Sequence, residues 1–219
     1  MDVSAMLSDI DDHGFTDTSS ERKMAMLNEA YWDVCGREPW PFLEATVNLT
    51  FDGTNPTPTN LPSDFHAVIS MDTDDNWTMQ HIDYDDWYSR YSSVTTATGK
   101  ARMFYFVAGQ LNVYPIPAAS DVVKLYYIRT PAELQSTDLE AAIVIPKQYH
   151  RALLVNGAIY RLDAMEDDAD IAYGFQQYYE AAIQRMREFM WRRQYQRPEV
   201  VRPVDPDDLG WQSAWTGWV

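Results

Sequence analysis

Apolar positions change their spacing several times along this chain, and each change marks a new element. Val3, Met6, Leu7 and Ile10 fall on one side of a helix over residues 1–13, which Gly14 ends. Thr18-Ser19-Ser20-Glu21 fits a capping box, with Thr18 as cap and Glu21 three residues on. Met24, Leu27, Tyr31 and Val34 follow at helical spacing, and Gly36 is a suitable stop. Pro39 and Pro41 then force extended backbone.

From there the period is two. Val47, Leu49 and Phe51 alternate with polar residues, as do Ala67, Ile69 and Met71. Residues 52–63 carry Gly53, Pro56, Pro58 and Pro62 and read as a loop. A short helical turn is expected at 84–91, and a turn or mobile loop at 95–99. Strands at 103–107 and 110–114 flank Ala108-Gly109, a hairpin signal, and 122–128 is a further strand. This block predicts an antiparallel β-sandwich or barrel.

Helical spacing then returns. Pro146 suits a helix start, and Ala152, Val155, Ile159 and Leu162 share one face. An acidic junction at 166–170 precedes the longest amphipathic segment, with Ile171, Phe175, Tyr178, Ala182, Met186, Phe189 and Met190 as its apolar set. The expected fold class is α+β: a small helical bundle carrying the β block as an insertion, with an extended C-terminal arm. The expected division is 1–44 and 131–195 for the bundle, 45–130 for the β domain and 196–219 for the arm.

The arm stands apart. Pro198, Pro203 and Pro206 forbid regular structure, and the large apolar groups Leu209, Trp211, Trp215 and Trp218 have no periodic partner; Arg197 and Arg202 join them as candidate docking residues. Tryptophan is a common interface anchor, so the arm is expected to dock on another chain.

Composition narrows the class. With 219 residues and 46% apolar content, the chain can bury a core. A net charge of -16 argues against a phosphate-binding surface, which needs clustered Lys and Arg. It suits solubility, and it also suits a channel wall that lets DNA pass without sticking. The single cysteine, Cys35, excludes an internal disulfide and ends an apolar helical face, so a buried thiol is expected. No stretch approaches the roughly 18 apolar residues of a membrane span.

Candidate chemistry is sparse. Asp72, Asp74, Asn76 and Asp83 mimic positions of a calcium loop, but Trp77 occupies the glycine position and Asp83 replaces the bidentate glutamate. That favours a solvated acidic loop, and Asp85-Asp86 reads as a surface turn. His13, His66, His81 and His150 form no ligand spacing, and no phosphate loop, dinucleotide fingerprint or nucleophile elbow is present. No catalytic residue, cofactor or metal is expected. Arg185, Arg187, Arg192 and Arg193 continue into Arg197 and Arg202 as the one basic stretch. It is either a solvated helix end or a contact with acidic neighbours or with DNA; a contact between chains suits arginine better than DNA, with Arg185, Arg192 and Arg193 its candidates. An alternative function is a receptor- or carbohydrate-binding β module on a helical stalk, with Trp77, Trp87 and Tyr88 stacking on sugars.

The order of parts resembles the head-to-tail adaptor (connector) proteins of tailed bacteriophages. The resemblance spans most of residues 20–190. It rests on the helix into Trp40-Pro41-Phe42-Leu43, then Leu61-Pro62-Ser63-Asp64-Phe65. It continues with Gly109-Gln110-Leu111-Asn112-Val113-Tyr114-Pro115-Ile116-Pro117, Leu125-Tyr126-Tyr127 and Ile145-Pro146-Lys147-Gln148-Tyr149-His150. It implies a non-enzymatic virion protein at the head-tail neck, assembled in the host cytoplasm. Its implied partners are further copies of itself in a twelve-fold ring, the portal ring above, and tail nozzle, tube or fibre proteins below. Genomic DNA would pass through the ring without specific binding. The arm would reach the portal.

Overall fold

The computed structural model describes residues 1–91, 93, 96–165 and 169–195. Helix α1 (Val3–Ile10) is capped by the Asp2 carboxylate, which accepts from the Ala5 amide at 2.9 Å. A π-helical turn at Asp11–Phe15 follows and is kinked at Gly14, whose φ of 105° is open to glycine. Helix α2 (Ser20–Gly36) is capped by Ser19, whose hydroxyl accepts from the Arg22 amide at 3.3 Å. The cap therefore lies one residue beyond the Thr18 of the expected box. The Thr18 amide is spent on the Phe15 carbonyl in the preceding turn.

Trp40 closes the other end of α2. It is buried, and its indole N–H donates to the Val34 carbonyl at 2.6 Å. That carbonyl, in the last turn of the helix, also accepts from the Arg37 amide at 3.4 Å. A short turn at Pro41–Leu43 leads into strand β1.

Strands β1 (Glu44–Leu49), β2 (Phe65–Thr73) and β6 (Val123–Arg129) form an antiparallel sheet in the order β1-β6-β2. Register shifts in β2 between Phe65 and Ala67 and between Val68 and Ser70 interrupt its alternation. Met71 is buried as expected, but Ile69 turns outward and is half exposed. The second sheet has the order β3-β4-β5, from Gln80–His81, Met103–Val107 and Gln110–Tyr114. Ala108 (φ 48°) and Gly109 (φ 78°) make the tight turn between β4 and β5.

The two sheets face a shared core, but the block is not wholly antiparallel and does not close. Strand β3 runs parallel to β4, because the chain returns to β4 by a crossover through helix α3 (Tyr84–Tyr91). No closed barrel forms among the described residues: the strands make two separate three-stranded sheets.

After β6 the chain rejoins the helices. The Asn28 side chain pairs with the Leu134 backbone in both directions, at 3.1 and 2.8 Å. A short turn at Lys147–Tyr149 and a π-helical stretch at His150–Val155 enter α4 (Asn156–Met165), and α5 (Ala169–Tyr195) follows. Helices α1, α2, α4 and α5 share one apolar core containing Leu27, Tyr31, Leu154, Ile159, Tyr179 and Met186. A second core, with Leu49, Met71, Leu111, Val113 and Leu125, draws on both sheets. No helix among the described residues is long and apolar enough to cross a membrane.

Candidate assembly interface

The buried face of α5 differs from the expected one. Ala172, Tyr179, Ala182, Ile183, Met186 and Met190 point into the core, whereas Ile171, Tyr178 and Phe189 are exposed. The expected set mixed two adjacent faces. Ala182, Met186 and Met190 are buried as read, while Tyr179 takes the inward place assigned to Tyr178.

Tyr179 anchors a polar network on the flank of the bundle. Its hydroxyl donates to Asp33 at 2.5 Å. Asp33 also receives Arg37 at 2.9 Å and Arg161 at 3.3 Å. Arg37 forks onto Glu180 at 2.7 and 2.8 Å, which ties α2 to α5. Burial alone would push the Asp33 carboxyl up. Hydrogen bonds from Arg37 and Tyr179, with the Arg37 and Arg161 charges, outweigh it and hold the group below its ordinary 3.8. Burial, and then the Asp33 hydrogen bond, push the Tyr179 phenol up. The sequence reading missed this network, whose only signal was Asp33 and Arg37 four residues apart on one helix.

The outer face of α5 is a candidate contact surface. Ile171, Tyr178, Arg185 and Phe189 are spaced by seven, seven and four residues and so share one stripe. Gly174 and Ala181 lie beside it as small positions. Tyr178 is 69% exposed, Ile171 50% and Phe189 41%, on a helix whose inner face is already packed. Arg185 is exposed, and its backbone carbonyl accepts from the Tyr149 hydroxyl at 3.4 Å. Arg187 instead pairs with Glu38 within the chain. Arg192 and Arg193 lie in the last turns of α5, but their side chains fall outside the described residues, as do Arg197, Arg202, Leu209, Trp211, Trp215 and Trp218.

The acidic loop has internal partners. Asp74 binds Lys100 at 2.6 Å, Asp75 binds Arg102 at 3.1 Å, and Asp72 accepts from the Thr78 hydroxyl at 2.8 Å. Asp85 and Asp86 sit in the first turn of α3. Trp87 is buried and stacks on Tyr105 at 4.4 Å, so it offers no face to a sugar. Trp77 and Tyr88 are exposed, with Arg102 lying 4.9 Å over the Trp77 ring. His150 is buried, with its ring nitrogens 3.1 Å from the Met1 carbonyl and 2.7 Å from that of Ile145. Cys35 is buried as expected, and desolvation pushes its thiol up to about 12.

The family model described as SU10 adaptor protein matches residues 1–207, nearly the whole chain. The chain belongs to this phage head-to-tail adaptor family. No curated protein matches it. The adaptor match runs twelve residues past the end of α5, into the proline-rich arm. An adaptor works by what it touches, so the α5 stripe and the arm are the places to look for its contacts.

Proposed function

We propose that this chain is the subunit of a ring that joins a phage head to its tail. Twelve copies sit beneath the portal ring, extend the DNA channel and present a dock for tail nozzle, tube or fibre proteins. The helical parts 1–44 and 131–195 form the ring body, and 45–130 is an inserted β domain. Residues 196–219 are the arm that reaches the portal, with Leu209, Trp211, Trp215 and Trp218 as anchors and Arg197 and Arg202 as polar contacts. The exposed stripe of α5, with Arg185, Arg192 and Arg193, faces the neighbouring copy. The adaptor is a structural component, and no catalytic step is assigned to it.

The observation that carries this reading is the family match over 1–207, supported by an apolar stripe left uncovered on the longest helix. Repetition around a ring lets a modest arm contact add up to firm attachment. An acidic subunit suits a lumen that does not hold DNA. Deleting 198–219 tests the arm. The shortened protein is expected to remain folded by circular dichroism and to stop co-sedimenting with the portal ring. Normal co-sedimentation would remove the arm as anchor.

A further inference from the structure

A cleft of about 270 Å³ lies where the end of α2 meets the exit of β6. Trp32, Gly36, Leu43, Ile128 and Pro131 give it apolar walls, and Arg129 supplies the one charged group among its lining residues. Its size suits one large side chain better than a cofactor. Trp32 on its rim is 43% exposed.

Arg129 is the unusual member. Arg37, Arg102, Arg151, Arg161 and Arg187 each pair with a carboxylate. The Arg129 guanidinium makes no ion pair among the described residues. One terminal nitrogen donates to the Phe42 carbonyl at 3.4 Å, and its buried Nε has no hydrogen-bond partner. A half-buried cation beside an apolar slot costs free energy that an arriving carboxylate would offset.

The chain itself carries a segment of the matching chemistry. Asp207-Asp208-Leu209-Gly210-Trp211 places two carboxylates close to two large apolar groups. It is also within reach. The Arg187–Glu38 pair holds α5 against the end of α2, two residues beyond Gly36. Tyr195 lies eight residues on from Arg187, about 12 Å along the helix. The eleven residues between Tyr195 and Asp207, if extended, span roughly 36 Å.

We propose that this cleft is a docking site for residues 207–211 of the same copy, with Trp211 in the slot beside Trp32 and an Asp207 or Asp208 carboxylate on Arg129. The tether gives the stretch an effective concentration in the millimolar range, so weak contacts suffice. The adaptor then holds the middle of its arm until a portal ring competes for it. This concerns the chain before assembly, so its test needs no portal and can fail independently of the ring.

The test is amide hydrogen exchange on the full-length protein. Exchange across 207–211 is expected to be slowed about tenfold, unchanged on dilution. The protection should vanish in the double substitution Asp207→Lys/Asp208→Lys, which leaves the folded core untouched. It should vanish in Arg129→Glu and return when the three changes are combined. Exchange at the unstructured rate in the wild type would overturn the proposal. So would protection that falls with dilution, which would make the occupant a second copy, or protection that survives the Asp207→Lys/Asp208→Lys change.

Discussion

Single residues decide how α5 is held. Tyr179 and Tyr178 are neighbours with opposite fates: one donates to Asp33 inside the bundle and the other faces solvent. Helical spacing alone selected Tyr178, because an apolar set at steps of three and four fits two adjacent faces nearly equally well. The Asp33 network that settles the choice lies across helices, out of reach of any local pattern. Tyr179→Phe should cost about 1.5 kcal/mol, since it removes a hydrogen bond to a charged acceptor. Thermal melting would read this as a drop of about 3–6 °C. Gly157 is tighter still. A Cβ there would lie 2.9 Å from the Ala30 Cβ and 2.9 Å from the Tyr179 ring. Gly157→Ala should therefore destabilise by about 1–3 kcal/mol, despite the better helix propensity of alanine. Asp33 also sets an acid limit. Its carboxyl is held below 3.8 in the folded chain, so its contribution is present above that value and is lost as pH falls through the lowered one. Asp33→Asn should flatten the acid limb of a stability-versus-pH curve, with little change in its slope at higher pH.

At the scale of elements, local patterns were legible where the chain folds on its neighbours. Strands β4 and β5 and the Ala108-Gly109 turn match the sequence reading residue for residue, as does α3 at 84–91. Long-range choices were not. The bulges of β2 turn Ile69 outward, and the two-residue β3 pairs in parallel only because α3 carries the chain across. Neither leaves a periodic trace. The hairpin carries a stability reserve. Ala108 holds a φ of 48°, which costs an L-residue about 1 kcal/mol that glycine avoids. Ala108→Gly is expected to raise the melting temperature by about 2–4 °C. The α5 stripe carries the opposite expectation. Tyr178→Glu with Phe189→Glu should cost only about 1 kcal/mol, since Tyr178 is exposed and Phe189 gives up an edge contact with the Tyr149 ring. The same pair should abolish ring formation, read by native mass spectrometry. Rings that persist would place the subunit contact elsewhere.

For the whole molecule, the order of parts was more informative than any one motif. A helix into Trp40-Pro41, a β block, two further helices and a proline-rich arm pointed to an adaptor, and the family match over 1–207 agrees. The bundle was legible because its helices repeat apolar residues strongly. Sheet closure was not legible, and no closed barrel forms among the described residues, because short strands fix neither closure nor direction. Of the candidate contacts, Arg185 lies on an exposed face, while the arm falls outside the described residues. On the proposed function these parts serve a ring on a portal. The most direct measurement is particle mass, taken for the purified chain alone and then with its portal ring. Twelve copies of a 25.3 kDa chain should add about 300 kDa to the portal as one closed assembly. A chain that leaves the mass of the portal unchanged at saturating concentration would rule out a ring adaptor on that portal.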